Sequence, residues 1–169
     1  MEGKKTGAES VIYRKIESGD DAAIARIIRE NLEANHLDIP GTAYFDEHLD
    51  HISTYYLANP SEREYFILTD VQGRVIGGIG LAECDLFEDC AELQKLYLCE
   101  DCKGSGLGYD MIRKVEERAR ELGYRQMYLE THTNLQAALH IYERSGYRQI
   151  PKPEAVVHSA MNCFLLKKL

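Results

Sequence analysis

A strand, a glycine-rich loop and a long helix follow one another in the middle of the chain. Apolar residues within 91–98 predict the strand, and residues 103–108 (Lys-Gly-Ser-Gly-Leu-Gly) form the loop. After Gly106, apolar positions recur at helical spacing and predict the helix. Glycine has no Cβ, so a ligand can approach the loop backbone closely, and the first helical turn offers unpaired N–H groups to an anion. The segment therefore predicts a site for a phosphorylated cofactor.

The loop does not fit two common nucleotide-binding patterns. A Walker loop needs Gly-x-x-x-x-Gly-Lys-Ser/Thr, and no such string occurs in the chain. A dinucleotide fingerprint needs a third glycine three positions after Gly108, where Met111 stands. The phosphorylated cofactor must therefore belong to another class.

Two motifs carry a resemblance to a known family. The loop is similar to the acyl-CoA loop of the GNAT N-acetyltransferases, Arg/Gln-x-x-Gly-x-Gly/Ala, with Lys103 in the Arg/Gln position. Residues 138–147, Ala-Leu-His-Ile-Tyr-Glu-Arg-Ser-Gly-Tyr, resemble the family's Ala-x-x-x-Tyr-x-x-x-Gly-Phe/Tyr helix and strand. The resemblance is specific over residues 64–150 and only general for the N-terminal helices and the last strand.

The resemblance implies the GNAT fold, an α/β (α+β) architecture with a central mixed, mostly antiparallel sheet of six to seven strands and four helices. The residue pattern agrees, because apolar runs and turn signals predict hairpins in the middle and at the end of the chain. The predicted strands are 11–16, 65–69, 75–81, 91–98, 127–131, 147–150 and 161–166, and the predicted helices are 18–35, 46–56, 107–122 and 134–145. We expect one domain over residues 1–169, with residues 1–10 as a flexible N-terminal segment.

Acetyl-CoA is the co-substrate that the resemblance implies. In the family the fourth strand bulges and splays from the fifth, so that its backbone amides bind the pantetheine arm and the thioester carbonyl. By position, the expected contacts of the strand and the loop are Leu96, Tyr97, Leu98, Lys103, Gly104, Ser105, Gly106, Leu107 and Gly108.

One departure from the family pattern concerns an asparagine. The family often has this residue three positions before Ala138, where this chain has Leu135, and Asn134 is one position off. Either Asn134 reaches the pantetheine, or it serves only as the N-cap of the helix.

Two side chains are candidates for acid–base catalysis. Tyr142 matches the family's tyrosine that protonates the leaving thiolate of CoA, and Glu92 matches a strand position where histone-type relatives place a general base. From spacing alone, Tyr142 is better explained as a core aromatic residue, and the resemblance reverses that order. Glu92 is equally a solvent-facing strand residue. Glu83 and Glu130 are weaker candidates for contact with the acceptor.

The cysteines do not form a recognisable metal site. The chain has five cysteines, an odd number, which favours reduced thiols over a disulfide framework. Cys99 and Cys102 would need two more ligands for zinc, which Cys84 and Cys90 supply only if the fold brings all four together. We therefore predict no metal.

Charge and hydropathy exclude other classes of function. The formal net charge of −8 argues against non-specific nucleic-acid binding, which needs a basic face. No apolar run approaches the length of a membrane span, and residues 1–10 lack a hydrophobic signal core, so we expect a cytoplasmic protein with no membrane partner. The acidic surface is consistent with a cationic amine, and a homodimer is left open.

The leading hypothesis is an enzyme that transfers acetyl from acetyl-CoA to a primary amine of a small molecule, by direct attack in a ternary complex. A non-catalytic acyl-CoA-binding regulatory module would not need Tyr142 or Glu92, and the presence of both favours catalysis. A protein or peptide N-acetyltransferase would need an acceptor groove open to a chain. The acceptor pocket is expected between residues 35–45, the second helix and residues 151–158.

Overall fold

The computed structural model describes residues 10–157 and 159–169. The predicted flexible segment, apart from Ser10, and His158 lie outside the described residues. The strands are β1 (Ile12–Lys15), β2 (Glu64–Thr69), β3 (Val75–Cys84), β4 (Cys90–Leu98), β5 (Gln126–Thr131), β6 (Arg148–Ile150) and β7 (Cys163–Lys168). The α-helices are α1 (Asp21–Ala34), α2 (Ile52–Leu57), α3 (Leu107–Glu121) and α4 (Gln136–Arg144).

All seven strands join one sheet in the order β1-β2-β3-β4-β5-β7-β6. The β4–β5 pair is parallel, and every other neighbouring pair is antiparallel. Parallel neighbours need a crossover, which α3 supplies here between β4 and β5. The predicted mixed, mostly antiparallel sheet with four helices is thereby confirmed.

The two faces of the sheet carry separate apolar cores. Helix α3 packs on one face, where its buried stripe of Met111, Ile112, Val115 and Ala119 meets strand residues such as Leu81, Leu93 and Leu129. Helices α1 and α2 pack on the other face, whose core includes Ile24, Ile28, Tyr56, Tyr65 and Ile67. The apolar residues of α1 and α3 recur every three or four positions, and this spacing directs one stripe of each helix to the sheet. Among the described residues, no helix is long and apolar enough to cross a membrane.

Several predicted boundaries shift in the structure. The second helix was predicted over residues 46–56, but α2 begins only at Ile52, after a 3₁₀ turn at Leu49–His51. The carboxylate of Asp46 accepts the backbone N–H of His48 at 2.9 Å, which makes a local turn there and not the start of an α-helix. The last strand begins at Cys163 and runs to Lys168, two residues later than predicted at each end.

Candidate active site

The sheet opens between β4 and β5. These strands pair only at their first residues, from Cys90 with Gln126 to Glu92 with Tyr128. Beyond Glu92, β4 pairs only with β3 and β5 only with β7, so a cleft of about 450 Å³ lies between their ends. The divergence removes backbone partners from one edge of β4 and makes them available to a ligand.

A bulge in β4 lies at the start of this cleft. Gly80 faces Gln94 and Gly78 faces Tyr97, so that β4 has one residue more than β3 between the two pairs. The extra length is taken up at Lys95, whose φ of 50° is left-handed and uncommon for a residue other than glycine. The bulge therefore bends the strand where the cleft begins.

Two buried tyrosines lie against the bulge region from the α1/α2 face, and one of them holds it directly. Tyr65 donates its hydroxyl to the backbone carbonyl of Lys95 at 2.8 Å. A Cβ at Gly78 would lie 2.3 Å from the Tyr65 ring, and a Cβ at Gly80 would lie 2.6 Å from the same ring and 2.9 Å from the Tyr56 hydroxyl. These two glycines of β3 therefore make room for the side chain that fixes the β4 bulge.

The glycine-rich loop has the geometry of an anion cradle. Gly104 and Gly106 adopt φ values of 75° and 83°, and a Cβ at either would meet no atom within 4 Å. Among the described residues, the N–H groups of Gly104, Ser105 and Gly106 donate to no acceptor in the chain. They precede the first turn of α3, whose N–H groups and positive dipole end also attract anions.

Two side chains fix the shape of this loop. The Ser105 hydroxyl donates to the carbonyl of Cys102 at 2.6 Å. The ammonium of Lys103 lies 2.8 Å from the carboxylate of Glu100 in an exposed ion pair. At Gly108 the lack of a Cβ serves packing, because a Cβ there would lie 2.9 Å from the end of Ile141 on α4.

Tyr142 lies in the cleft wall formed by α4. Its side chain is 6% exposed, and burial next to Tyr97 raises the pKa of its phenol well above the usual value. Its ring packs edge-on against Tyr147 with centroids 6.0 Å apart. Because the pKa is raised, the phenol stays protonated at neutral pH. Its hydroxyl has no hydrogen-bond partner among the described residues, so it is free to donate to a ligand.

Glu92 is the last residue of β4 that pairs with β5, so it lies where the strands separate. The Gln94 amide donates to its carboxylate at 3.3 Å, and Tyr56 holds the other end of that amide with a 2.6 Å hydrogen bond. Burial raises the pKa of Glu92, the Gln94 hydrogen bond opposes the rise, and the nearby carboxylate of Glu130 adds to it. A carboxylate with a raised pKa is a stronger base than an exposed one.

Most of the predicted site residues line the cleft. Tyr142 lines it together with nine predicted cofactor contacts, which are Leu96, Tyr97, Leu98, Lys103, Gly104, Ser105, Gly106, Leu107 and Gly108. Glu92 and Asn134 are not among the lining residues. Glu130 lines the cleft, whereas Glu83 forms an ion pair with Arg63.

Asn134 has a different role from helix capping. Helix α4 begins at Gln136, and its N-cap, Leu135, makes no side-chain cap. The Asn134 amide donates instead to the carbonyl of Asn35 at 3.0 Å, which joins the end of β5 to the end of α1. The alternative that Asn134 caps α4 is wrong, and contact with pantetheine stays a prediction.

Asn31 and Lys95 are cleft residues that the sequence analysis did not single out. Asn31 on α1 is buried. Its amide donates to the carbonyls of Ile27 at 2.8 Å and Leu98 at 2.9 Å, and the second bond joins α1 to the end of β4. A polar residue on the apolar stripe of α1 was the available signal. The local sequence around Lys95 gives no such signal, because the β4 bulge that contains it depends on β3 and on Tyr65 of β2.

Cys99 and Cys102 lie close together just before the cradle, with their sulfur atoms 3.0 Å apart. Their sulfurs and the carboxylate of Asp101 all lie within 4.8 Å of one another, the one such group of potential metal ligands among the described residues. Asp101 is already paired with Arg74 at 3.1 Å. Cys84 and Cys90 face each other at the opposite end of β4, so they do not complete a four-cysteine zinc site.

The splayed strands, the β4 bulge and the anion cradle define an acyl-CoA-type transferase site on an α/β fold. The family model for the acetyltransferase (GNAT) family matches residues 23–147 of the chain. The chain therefore belongs to the GNAT family and is an acetyl-CoA-dependent N-acetyltransferase.

Individual relatives agree with this assignment. The chain is 33% identical over 144 residues, 84% of each chain, to the uncharacterised N-acetyltransferase YjgM of Escherichia coli. Its fold matches a GNAT-family acetyltransferase from Staphylococcus aureus with a TM-score of 0.80 at 18% identity, over 95% of this chain and 99% of that one. It also matches spermidine N-acetyltransferase from Vibrio cholerae, solved with CoA and spermine, with a TM-score of 0.70 at 17% identity over 96% of each chain.

Proposed function

We propose that the protein transfers an acetyl group from acetyl-CoA to a primary amine of a small molecule, by direct attack in a ternary complex. The observation that carries this proposal is one continuous cleft with an anion cradle at one end and Tyr142 in its wall. Glu92 lies at the point where the cleft begins. The site thus combines groups for a phosphorylated cofactor with groups for proton transfer.

The cofactor would lie along the β4 edge. The unpaired N–H groups of the cradle would bind its pyrophosphate, with Lys103 nearby as a cation. The pantetheine amides would take the place of the strand partner that the backbone of Leu96, Tyr97 and Leu98 lacks on this edge of β4. Relatives of known structure support this, since the Vibrio cholerae enzyme was solved with CoA.

The proton transfers follow from the two candidate residues. Glu92, a base strengthened by burial, would accept the proton of the acceptor ammonium, directly or through a water molecule. Tyr142, which stays protonated, would donate its phenolic proton to the thiolate that leaves. Each group is then in the protonation state that its step requires.

The acceptor loops favour a small molecule over a peptide. Gly41 approaches Ala160 so closely that a Cβ at Gly41 would lie 3.2 Å from the Ala160 Cβ. Asn134 and Asn35 are joined by a hydrogen bond of 3.0 Å between the end of β5 and α1. These contacts bring the segments around the acceptor end together, whereas a peptide acceptor would need an open groove.

The test uses a matched pair of glycine variants. Gly106 and Gly73 have φ values of 83° and 86°, and an added Cβ would meet nothing within 4 Å at either. Alanine therefore costs similar backbone strain at both, about 1 kcal/mol, but only Gly106→Ala places a methyl group in the cradle. We expect Gly106→Ala to raise the KM for acetyl-CoA at least tenfold and Gly73→Ala to leave it unchanged.

The assay is CoA release from acetyl-CoA, followed with a thiol reagent, against amino acids, polyamines, aminoglycosides and a lysine peptide. Acceleration by a small amine supports the proposal. Acceleration by the lysine peptide alone would establish the peptide N-acetyltransferase instead. Tight acetyl-CoA binding with no accelerating acceptor would favour the regulatory module.

A further inference from the structure

Lys95 is a cleft-lining cation whose position is fixed by the fold. Its left-handed backbone forms part of the β4 bulge, and its carbonyl accepts the hydroxyl of fully buried Tyr65 at 2.8 Å. The residue lines the cleft at the bulge, several residues before the cradle along the chain. The fold therefore fixes the backbone of Lys95 three residues beyond Glu92, where β4 and β5 separate.

The surroundings of Lys95 do not neutralise it. The carboxylates of Asp46 and Glu92 act on its charge from a distance, but among the described residues none lies within salt-bridge range of its ammonium. Burial is the main influence on this side chain and lowers its pKa. Lys95 is half-buried, and partial burial of a lysine without an ion pair costs stability, so the residue is a candidate for a functional role.

The anion that Lys95 would meet does not come from the cofactor. CoA carries its phosphates far from its thioester, and the cradle with Lys103 already accounts for that end. Among the described cleft-lining residues, Lys95 and Lys103 are the two lysines or arginines, and Lys103 is paired with Glu100. An anion near the bulge would therefore belong to the acceptor.

The local charges also limit what kind of anion fits. Asp46, Glu92 and Glu130 surround or approach this end of the cleft, so a phosphate dianion would be repelled. Lysine supplies one positive charge, which balances the single negative charge of one carboxylate. If the same molecule also carries an ammonium group, the nearby carboxylates attract that group while Lys95 attracts its carboxylate.

We propose that Lys95 binds the carboxylate of the acceptor, which makes the acceptor an amino acid or a similar molecule with one amine and one carboxylate. The acceptor amine would lie toward Glu92 and the carboxylate toward Lys95. This inference rests on the proposed acetyl transfer and names the substrate class of the same site.

The experiment compares amino acids with their carboxamides and with the corresponding decarboxylated amines. Each set is assayed with wild type, Lys95→Met and Lys95→Arg, with Lys168→Met as a control at an exposed lysine. We expect wild type to prefer acids over amides at least tenfold in kcat/KM. Lys95→Met should lose that preference through a raised KM for acids, and Lys95→Arg should keep most of it.

Lys95→Met removes a half-buried charge that has no counter-ion among the described residues, so the variant should fold at least as well as wild type. Equal turnover of acids and amides by wild type would overturn the carboxylate proposal and leave the acetyl transfer standing. An equal loss for acids and amides in Lys95→Met would assign Lys95 a structural role and also overturn it.

Absence of turnover with every acceptor would count against the transferase proposal instead. In that case Lys95 is tested by thermal shift with CoA present, comparing each acid with its amide. Stabilisation by acids that Lys95→Met abolishes would support the carboxylate site. No difference between acids and amides would refute it.

Discussion

Two glutamates in different parts of the molecule, one buried and one half-buried, have opposite surroundings. Glu116 on α3 is 3% exposed, and Lys167 lies 2.9 Å from both of its carboxylate oxygens while Tyr147 donates to it at 3.0 Å. Glu92 on β4 has only the Gln94 amide at 3.3 Å and, among the described residues, no cation in salt-bridge range.

The difference separates structural charge from functional charge. A buried ion that is fully paired is compatible with stability, whereas one left without a partner is destabilising and is retained where a ligand completes it. Among the described residues, Lys95, like Glu92, has no counter-ion, and the Tyr142 hydroxyl has no hydrogen-bond partner. Tyr142 and Lys95 line the cleft, and Glu92 lies beside it. We propose that these three groups mark the reacting end of the cleft.

The largest effect is expected from Lys167→Ala. Removing this lysine leaves Glu116 buried without its main counter-ion, so the free energy of unfolding should fall by about 3 kcal/mol. Turnover per folded molecule should not change. Chemical denaturation measures the loss, and Lys168→Ala, at an exposed neighbour, is the control. A loss below about 0.5 kcal/mol would show that the pair does not stabilise the fold.

Tyr142→Phe should lower kcat about 100-fold, because the proton donor for the leaving thiolate is lost. Its thermal stability should stay close to wild type, since no hydrogen bond is broken. Tyr147→Phe is the matched control: it breaks the bond to Glu116 and should cost about 1 kcal/mol of stability while keeping turnover. Similar behaviour of the two variants in both assays would contradict the comparison.

Gly78→Ala should affect both the stability of the fold and the KM for acetyl-CoA. Its Cβ would lie 2.3 Å from the ring of Tyr65, which must move and release the Lys95 carbonyl. Overpacking of this kind costs about 2 kcal/mol, and the displaced bulge should raise the KM for acetyl-CoA several-fold. Gly19→Ala, where a Cβ meets nothing within 4 Å, should change neither quantity. An unaltered KM would mean that the cofactor does not depend on the bulge.

Glu92→Gln should lower kcat/KM about tenfold near neutral pH. In wild type, kcat/KM should rise with pH through the raised pKa of Glu92, and the variant should lack this limb. The free energy of unfolding depends on pH in the opposite direction to that for a carboxylate in a salt bridge, whose folded-state pKa is lowered. Because the folded-state pKa is raised, wild-type stability falls as pH rises from the ordinary carboxyl range through that value.

The Glu92→Gln variant avoids this loss, because its amide carries no charge, so it should be at least as stable as wild type at neutral pH. Glu116→Gln, by contrast, should lose stability, because it gives up the attraction to Lys167. Thermal unfolding and pH–rate profiles of both variants measure the contrast. A destabilised Glu92→Gln protein would show that this carboxylate is structural.

The sequence by itself determined the order of elements and much of the cofactor site. Local signals sufficed for these, because apolar periodicity marks α1 and α3, and Gly104 and Gly106 permit the left-handed turns that precede a helix. The loop and helix motifs also identified Tyr142. The predicted start of the second helix was wrong, because Asp46, a residue type that also caps helices, forms a local turn before α2.

Only the tertiary structure decided how the site is completed. The β4 bulge depends on Tyr65 from β2 and on space left by Gly78 in β3, and the hold on Leu98 depends on Asn31 in α1. The partners of Glu116, and the lack of a counter-ion for Lys95 within residues 10–157 and 159–169, likewise depend on residues distant in the chain. Charge pairing and close packing are properties of neighbours in space, and one sequence records those neighbours only through the fold.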